Sequence, residues 1–386
     1  MSKRAAGEGS VYKRGNRWVA QVGSGQTREY KSFDTQREAN TWRHKKVDQR
    51  RKGLINLNSK ITFEEFLKDW LVIAKNSVRP NTGLQYAQIV NQHIVPMLGS
   101  ILLRDLRPDQ IQKLYTEKLA SGVSPRTTRI IHAVIHRALN HALRQGLVIR
   151  NASDAVTLPK VPRKEMQTLD DYQVRQLFQA AGGSGIQTLL WIAVTTGLRK
   201  GELLGLKWSD LDWQTGKLKI QRQLQRRKGE GLVFCEPKSA SGRRAITLGE
   251  KTINRLREYR EKQYLECQQM GDEWEENDLI FPSPKGTPLD QSNMDKVFKE
   301  CLQEAGLPDI RFHDLRHTAA TLMLQQGIHP KVVQERLGHS DISLTLNTYS
   351  HVLPSMQDEA AEKMDELLTL TDVSEELKKI KKDEQK

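Results

Sequence analysis

The chain has 386 residues, with 61 Lys and Arg against 47 Asp and Glu, which gives a formal net charge of +14 at pH 7. This length predicts two or three domains, and the basic excess favours a polyanionic partner, nucleic acid first. The three cysteines are far apart and form no Cys-x-x-Cys pair, so neither a disulfide framework nor a zinc site is expected. The apolar runs are too short for a signal peptide or a membrane span, so we expect a protein of a reducing compartment without membrane contact.

The first 60 residues form the most basic region, with 15 Lys and Arg against 5 Asp and Glu. Three short segments in this region alternate between apolar and polar residues, which predicts a three-stranded sheet with tight turns. The segments are Gly9–Lys13, Arg17–Val22 and Glu29–Phe33, and the turns are at Gly15–Asn16 and Gly23–Gly25.

A helix is predicted to back this sheet. Thr35–Glu38 has the spacing of a capping box and would open a helix that runs to about Arg51. The resulting small domain spans residues 1–58, and three aromatic residues are expected to form its core: Trp18, Phe33 and Trp42. A core this small tolerates much like charge poorly without a partner, so we interpret the cations as DNA contacts rather than as solubilising groups. These candidates are Lys13, Arg14, Arg17, Arg28 and Lys31.

Residues 61–155 are predicted to form an all-α module of four helices. Thr62–Glu65 is a second capping box, and the apolar residues after it recur at helical spacing. Further helices are expected after Pro80, after Pro108 and from Ser124 to Leu143. Four arginines lie off the apolar stripe of the last helix: Arg126, Arg129, Arg137 and Arg144. Charge patterning alone is consistent with a solvated face or with phosphate contacts.

The remainder of the chain predicts a linker, a larger domain and a tail. Residues 156–168 contain prolines and basic residues without periodicity, which is typical of a linker between domains. A mixed α/β domain is expected over 169–370. Leu189–Val194 is predicted to be a buried helix, and strands are predicted at Lys217–Gln221, Gly231–Glu236 and Arg243–Leu248. The last residues, 371–386, have five basic and five acidic side chains and few apolar ones, so a disordered tail is predicted.

Within this larger domain the chemistry-bearing residues follow one another in a distinctive order. Arg199 and Glu202 come first, then His313-Asp-Leu-Arg316-His317, then Leu-Gly-His339-Ser, and finally Tyr349. Attack on a phosphodiester builds negative charge on the nonbridging oxygens, and fixed guanidinium groups can hold that charge without a metal. Imidazole can donate a hydrogen bond or accept a proton near neutrality, and a phenol oxygen can act as nucleophile. No phosphate-binding glycine loop and no carboxylate cluster for two metals is visible, so we expect no cofactor, metal or ATP requirement.

This pattern resembles the tyrosine recombinases, the phage integrase family, and the resemblance covers nearly the whole chain. It implies six catalytic residues: Arg199, Lys238, His313, Arg316, His339 and Tyr349. Glu202 and His317 are implied as supporting residues. By the same resemblance Lys238, in a turn between two strands, is the general acid for the leaving 5′ oxygen, with Lys228 of the preceding turn as its rival. Three other histidines are expected to be structural: His132, His136 and His141.

The N-terminal arrangement resembles the arm-type DNA-binding domain of integrases from Gram-positive phages and conjugative transposons. The resemblance therefore implies a multidomain α+β protein with an arm-binding domain, a four-helix SAM-like core-binding domain and a mixed α/β catalytic domain. Its implied partners are double-stranded DNA attachment sites (core and arm), three further copies of the chain in a homotetramer, an excisionase and a host DNA-bending protein. The implied location is the cytoplasm of a bacterial host, at the nucleoid.

Two alternatives use the same residues differently. A type IB topoisomerase performs this chemistry as a monomer, but it would not need the amino-terminal arm domain. A DNA-binding regulator with a decayed catalytic domain would not need the intact set of catalytic positions. We therefore expect a site-specific recombinase that cleaves and rejoins DNA through a 3′-phosphotyrosyl intermediate and integrates or excises a mobile element.

Overall fold

The computed structural model describes residues 9–22, 28–51, 60–162, 166–182, 185–237, 240–343, 346 and 355–369. The chain divides into two compact units on either side of residue 163. Each unit has a hydrophobic core of its own. None of the helices within the described ranges is both long enough and apolar enough to cross a membrane.

The first unit begins with the predicted three-stranded sheet. Its strands β1 (Ser10–Arg14), β2 (Arg17–Val22) and β3 (Glu29–Phe33) are antiparallel in the order β1-β2-β3. Helix α1 (Gln36–Arg51) packs on one face of the sheet. It begins where predicted, because the Thr35 hydroxyl accepts a hydrogen bond from the Glu38 backbone N–H at 3.3 Å. The turn predicted at 23–25 lies outside the described residues.

The core of this small sheet differs from the prediction. Its fully buried side chains are small: Ala20, Val22 and Ala39. The three aromatic residues expected there, Trp18, Phe33 and Trp42, are only half-buried. The rings of Phe33 and Trp42 lie 6.0 Å apart. A helix packed closely on a three-stranded sheet leaves room for methyl-sized groups between them, so large rings remain partly in solvent.

The helical module follows. Its helices are α2 (Phe63–Ser77), α3 (Pro80–Ile89), α4 (Val95–Leu98), α5 (Pro108–Ala120) and α6 (Pro125–Arg144), with a π-helical turn at Val90–Ile94 joining α3 to α4. The four-helix organisation is confirmed, since α3 and α4 are parts of one continuous helix from Pro80 to Leu98. The Thr62 capping box is present, with both its side-chain and its backbone bonds to Glu65. The apolar stripe of α2 is buried as its spacing predicts, from Phe63 to Leu71.

The second unit mixes helices with short strands. Its helices are α7 (Asp171–Ala180), α8 (Gly185–Thr196), α9 (Lys200–Leu203), α10 (Glu250–Met270), α11 (Gln291–Glu304), α12 (Asp314–Gln325), α13 (Pro330–Leu337) and α14 (Ser355–Thr369). Strands β4 (Leu211–Asp212), β5 (Lys217–Ile220) and β8 (Arg244–Thr247) form one antiparallel sheet, and β6 (Gln223–Arg227) pairs with β7 (Gly231–Cys235) in a hairpin. β6 was not predicted, because its sequence Gln-Leu-Gln-Arg-Arg has only one apolar residue.

Packing between α8, α12, α13 and β8 brings the ends of these elements together. A small cluster of buried side chains joins α12 to α13: Ala320, Leu324, Val333 and Leu337. Gly338 ends α13 in the left-handed conformation, with φ 67°, which glycine adopts without a steric penalty. The loops that leave α8 and α13, and the start of α12, therefore meet at one place in the second unit.

Candidate active site

The first part of the site is the turn that joins α8 to α9. Gly197 has φ 65°, and a Cβ at this position would lie 2.4 Å from Leu337 Cδ2, so the turn requires glycine. Arg199 then precedes α9, and its backbone N–H donates to Glu202 Oε2 at 3.1 Å. Its guanidinium donates from Nη1 to Glu202 Oε1 at 2.7 Å and from Nη2 to the Gly338 carbonyl at 3.2 Å. The turn thus fixes Arg199 at both ends of its side chain.

Glu202 is the carboxylate that holds two arginines. Its side chain is 2% exposed and bonds to Arg199 and, at 3.0 Å, to Arg244 Nη2. Burial alone would raise the pKa of Glu202, but the Arg244 and Arg199 guanidinium groups outweigh it and hold that pKa below its usual value. The carboxylate is therefore ionised at neutral pH, and its bond to Nη1 orients the Arg199 guanidinium.

The second part of the site is the start of α12. Arg316 is 4% exposed, and its Nη1 donates to the Gly197 carbonyl at 2.7 Å. His313 is the N-cap residue of α12, and its carbonyl accepts the backbone N–H of Arg316 at 3.2 Å, so the two residues lie about one helical turn apart. Asp314 is buried there; burial would raise its pKa, but hydrogen bonds from Arg311 outweigh this and lower it.

Two histidines accompany Arg316 at this helix start. The rings of His313 and His317 meet edge to face, with centroids 5.5 Å apart. Although His313 is an exposed residue, desolvation of its ring, followed by the charges of His317 and Arg316, lowers its pKa to about 4. The pKa of His317 is also lowered, chiefly by burial. Both rings are therefore neutral at pH 7 in the free protein.

His339 faces the same arginines from the end of α13. Its backbone carbonyl accepts a hydrogen bond from Gln334 Nε2 at 2.8 Å. Burial lowers the pKa of His339 to about 4, and the positive charges of Arg316 and Arg199 act in the same direction. A field from both arginines at this ring requires the three side chains to lie close to one another. The predicted residues Arg199, Arg316 and His339 are thus brought together by the fold.

Two predicted catalytic residues, Lys238 and Tyr349, lie outside the described residues. Ser241 follows Lys238 by three residues, and its carbonyl would lie 2.8 Å from a Cβ at Gly338. The loop that follows Lys238 therefore reaches the residue before His339. The rival lysine, Lys228, is exposed in the turn of the β6–β7 hairpin.

Two arginines of the site were not predicted. Arg244 and Arg336 bond mainly to backbone carbonyls of neighbouring elements. Burial lowers the pKa of Arg336. Arg244 lies at the start of a strand and Arg336 in the last turn of a short helix, and no residue pattern around either distinguishes it from a surface arginine. Their contacts become visible only when α13 packs on β8.

The predicted DNA-binding cations of the N-terminal sheet occupy both of its faces. Arg14 pairs with Arg17 across β1 and β2 on the open face, where Tyr12 and Tyr30 are also exposed. Lys13 and Lys31 pair with Trp18 and Ala20 and therefore point to the side of α1. Arg28 is exposed just before β3.

On α6, Arg126, Arg129 and Arg137 are all exposed. Two of them also bond to other residues of the chain: Arg129 Nε to the carbonyl of Pro159, in the predicted linker, at 3.1 Å, and Arg137 Nη1 to the Tyr86 hydroxyl of the module at 2.9 Å. Two of the three histidines expected to be structural, His132 and His136, bond in the same module. His132 Nδ1 lies 3.0 Å from the Tyr115 hydroxyl, and His136 Nε2 lies 3.1 Å from Asp154. Across the described ranges, no group of three His, Cys, Asp or Glu side chains is placed to hold a metal.

Comparison with known proteins decides the family. The family model described as "Phage integrase family" matches residues 167–356, and the model described as "Phage integrase, N-terminal SAM-like domain" matches residues 62–119. A XerC-like tyrosine recombinase from Caldanaerobacter subterraneus subsp. tengcongensis is 30% identical over 356 residues, which is 86% of this chain and 90% of the relative. The chain belongs to the phage integrase family of tyrosine recombinases. It is a site-specific DNA recombinase, as its catalytic motifs indicated.

Several integrases are similar to this chain over most of their length. The ICEBs1 integrase of Bacillus subtilis is 24% identical over 310 residues, which cover 80% of this chain and 84% of that one. The integrase of transposon Tn1549, solved with circular intermediate DNA, superposes with a TM-score of 0.67 at 22% identity over 80% of this chain and 99% of that one. A lambda integrase tetramer on a Holliday junction gives 0.57 at 19% identity, over 90% and 96%. These superpositions confirm the predicted multidomain α+β fold with a tyrosine-recombinase catalytic unit.

Proposed function

We propose that this recombinase cleaves and rejoins DNA at attachment sites of a mobile element through a 3′-phosphotyrosyl intermediate, with Tyr349 as the nucleophile. The observation that carries the proposal is the convergence of Arg199, Arg316 and His339 at Gly197 and Gly338. A covalent phosphotyrosine conserves the energy of the phosphodiester, so strand rejoining needs no ATP. Similarity to integrases along most of the chain favours this function over a topoisomerase or an inactive regulator.

The two arginines are proposed to bind the nonbridging oxygens of the scissile phosphate. Each already donates one N–H to a backbone carbonyl, of Gly338 for Arg199 and of Gly197 for Arg316. That bond fixes the plane of the guanidinium before DNA arrives, so the remaining donors need little reorganisation as charge develops. This preorganisation is the main catalytic contribution that the geometry supports.

The neutral histidines are proposed to act as hydrogen-bond donors and proton acceptors. Burial and neighbouring cations lower the pKa of His313 and of His339 to about 4 in the free protein. A bound phosphate carries the opposite charge and would raise both pKa values. His313 could then accept the proton of Tyr349 as its oxygen attacks, while His339 donates to a nonbridging oxygen. His317 would support the ring of His313 from the side.

Lys238 is proposed to protonate the 5′ oxygen that leaves. It precedes Ser241 by three residues, and Ser241 adjoins Gly338. A lysine in that loop is therefore within chain reach of the phosphate-binding arginines. Lys228 belongs to a different hairpin turn and is exposed there, which makes it the weaker candidate.

DNA binding outside the catalytic unit is assigned to two surfaces. The open face of the N-terminal sheet, which presents Tyr12, Arg14, Arg17 and Tyr30, is proposed to bind arm-type sites. Exposed arginines of α6 are proposed to contact phosphates at the core site: Arg126, Arg129 and Arg137. A basic surface releases counterions when it binds DNA, so both contacts should weaken with salt.

The active assembly is proposed to be a homotetramer on two DNA sites. Helix α14 exposes Met364 and Leu368, which are 55% and 64% exposed, along with Ala360 and Ala361. An apolar stripe that its own chain leaves open can pack on a neighbouring copy. An excisionase and a host DNA-bending protein are proposed as further partners, and the bacterial cytoplasm at the nucleoid as the location. The proposed domains are residues 1–58, 61–155 and 169–370, with a linker at 156–168 and a tail at 371–386.

A suicide substrate tests the proposed chemistry. This nicked core-site duplex loses a short fragment after cleavage, so the covalent adduct accumulates and is counted on a denaturing gel. Tyr349→Phe should abolish the adduct and leave gel-shift affinity near wild type, because only the nucleophilic oxygen is lost. An adduct formed by the variant would assign the nucleophile to another residue. Absence of an adduct with the intact protein would contradict the proposed function itself.

A further inference from the structure

Arg244, at the start of β8, touches three separate parts of the catalytic unit. Its Nη2 donates to Glu202 Oε2 at 3.0 Å, its Nη1 to the Gly242 carbonyl at 3.1 Å and its Nε to the Arg336 carbonyl at 2.6 Å. Only 8% of the side chain is exposed. A planar guanidinium with its donors in a fixed fork can hold three acceptors in one arrangement, which a lysine ammonium cannot reproduce.

Each of these three acceptors leads to a proposed catalytic residue. Glu202 holds the Arg199 guanidinium. Arg336 stands three residues before His339, at the last turn of α13. Gly242 ends the short turn that follows Lys238 in the chain. We infer that Arg244 is a positioning residue of the recombinase: it fixes Arg199 through Glu202 and fixes the end of α13 that presents His339. This inference rests on the proposed roles of those two residues.

Arg336 completes the connection in the opposite direction. Its Nη1 donates to the Thr247 carbonyl on β8 at 3.3 Å, and its Nη2 donates to the Thr195 carbonyl near the end of α8 at 3.1 Å. The Arg244 side chain on β8 thus binds the backbone of α13, and the Arg336 side chain on α13 binds the backbone of β8. Such reciprocal bonds resist sliding of one element along the other.

Glycine at 338 allows this close approach. A Cβ there would lie 2.8 Å from Arg244 Nη1 and 2.8 Å from the Ser241 carbonyl. The Arg199 guanidinium bonds to the carbonyl of the same glycine. Arg244 and Arg199 therefore both contact Gly338, the residue before His339. A displacement of Arg244 would be transmitted to Arg199 and to His339, both of which are proposed to contact the phosphate.

The experiment measures single-turnover cleavage of the suicide substrate at saturating protein, with gel-shift affinity and the thermal midpoint measured in parallel. Arg244→Met should slow cleavage about 100-fold, which is typical when catalytic groups are misplaced by about 1 Å. Its affinity for the core site should stay within about twofold of wild type, because Arg244 is buried and offers no donor to DNA. Arg244→Lys should recover part of the rate, since an ammonium can still bond to Glu202.

Arg222 provides the matched control. It forms a comparable ion pair with a buried carboxylate, Asp210, at 2.5 Å, and that carboxylate is 2% exposed, like Glu202. Its guanidinium bonds to Asp210 and to the Gly205 carbonyl, neither of which holds Arg199 or belongs to α13. Arg222→Met should lower the thermal midpoint as Arg244→Met does, while its cleavage rate stays near wild type.

A double-mutant cycle with Glu202→Gln isolates the positioning role. If Arg244 acts partly through Glu202, the two substitutions are not additive, and Arg244→Met in the Glu202→Gln background adds much less than it does alone. Wild-type cleavage by Arg244→Met, full additivity, or equal rate decreases for Arg244→Met and Arg222→Met would each overturn the inference. If Arg244→Met does not fold, Arg244→Lys carries the same cycle. Failure of the unmodified protein to form an adduct would count against the proposed function, not against Arg244.

Discussion

The N-terminal sheet and the catalytic unit both rely on arginine, but they hold it in opposite ways. On the sheet, Arg17 is paired with Asp34, and the two side chains are 65% and 79% exposed. In the catalytic unit, Arg316 is 4% exposed and bonds to a backbone carbonyl. An exposed cation attracts phosphate through charge and is screened by salt, whereas a buried one has its direction set by the fold before DNA arrives.

This difference indicates at which positions lysine can replace arginine and at which it cannot. At a solvated surface the charge is the useful property, so Lys and Arg can replace each other with small effect. At a buried position the planar fork is the useful property, because one N–H must satisfy the protein while others face the substrate. Replacing Arg by Lys at both kinds of position therefore separates the two uses.

The largest effect is expected for Arg316→Lys. A single ammonium cannot both replace the bond to the Gly197 carbonyl and bind a nonbridging oxygen, so the cleavage rate should fall by about 100-fold or more. Single-turnover cleavage of the suicide substrate measures the change, and a gel shift should show that core-site binding is retained. The control, Arg14→Lys on the open face of the sheet, should cleave like wild type. Near wild-type cleavage by Arg316→Lys would erase the distinction between buried and exposed arginines.

The sequence indicated Arg199, Arg316 and His339 because the short motifs around them resemble the tyrosine-recombinase pattern. The helical module was predictable for a similar reason, since each helix buries one periodic stripe and begins at a capping residue such as Thr62 or Ser124. Such signals are written within about 15 residues of chain and do not depend on the rest of the fold.

What the sequence did not predict depends on long-range packing. Arg244 meets Glu202 and the Arg336 carbonyl across separations of 42 and 92 residues, and no spacing encodes either contact. The strand at Gln223–Arg227 is recognisable only beside its partner β7. The aromatic residues of the N-terminal sheet were predicted to be buried but are only half-buried. Composition indicates that a residue is hydrophobic, but it does not give the distance between α1 and the sheet.

A smaller effect is expected from the sheet, and it tests which face binds DNA. Two double variants remove equal charge: Arg14→Ala with Arg17→Ala on the open face, and Lys13→Ala with Lys31→Ala on the side of α1. The open-face variant should bind arm-site DNA more weakly and flatten its salt dependence by about two units in log–log slope, about one for each phosphate that is no longer neutralised. The other variant should change both quantities less. Equal decreases in affinity would show that the sheet contributes charge without a preferred face.

Cleavage of a short core-site duplex separates this role from catalysis. Neither double variant should slow it, since the catalytic unit and the arginines of α6 are unchanged. A decrease in core-site cleavage by the open-face variant would mean that these cations serve the catalytic step, which would break the comparison between the two regions.

The smallest expected effect concerns the pH dependence of stability, and it tests whether Arg316 and Arg199 act on His339 before DNA binds. Burial, together with Arg316 and Arg199, lowers the pKa of His339 to about 4, against about 6.5 in an unfolded chain. Between these pH values the unfolded state binds a proton that the folded state does not, so the free energy of unfolding decreases as pH falls from about 6.5 towards 4. His339→Gln removes this contribution, and its thermal midpoint should therefore fall less between pH 7 and pH 5 than that of the wild type.

A His44→Gln variant, changed at an exposed position of α1, should keep the wild-type slope. If His339→Gln keeps that slope as well, the arginines do not impose their field on His339 in the free protein, and the preorganisation argued for the site would have to arise on DNA binding.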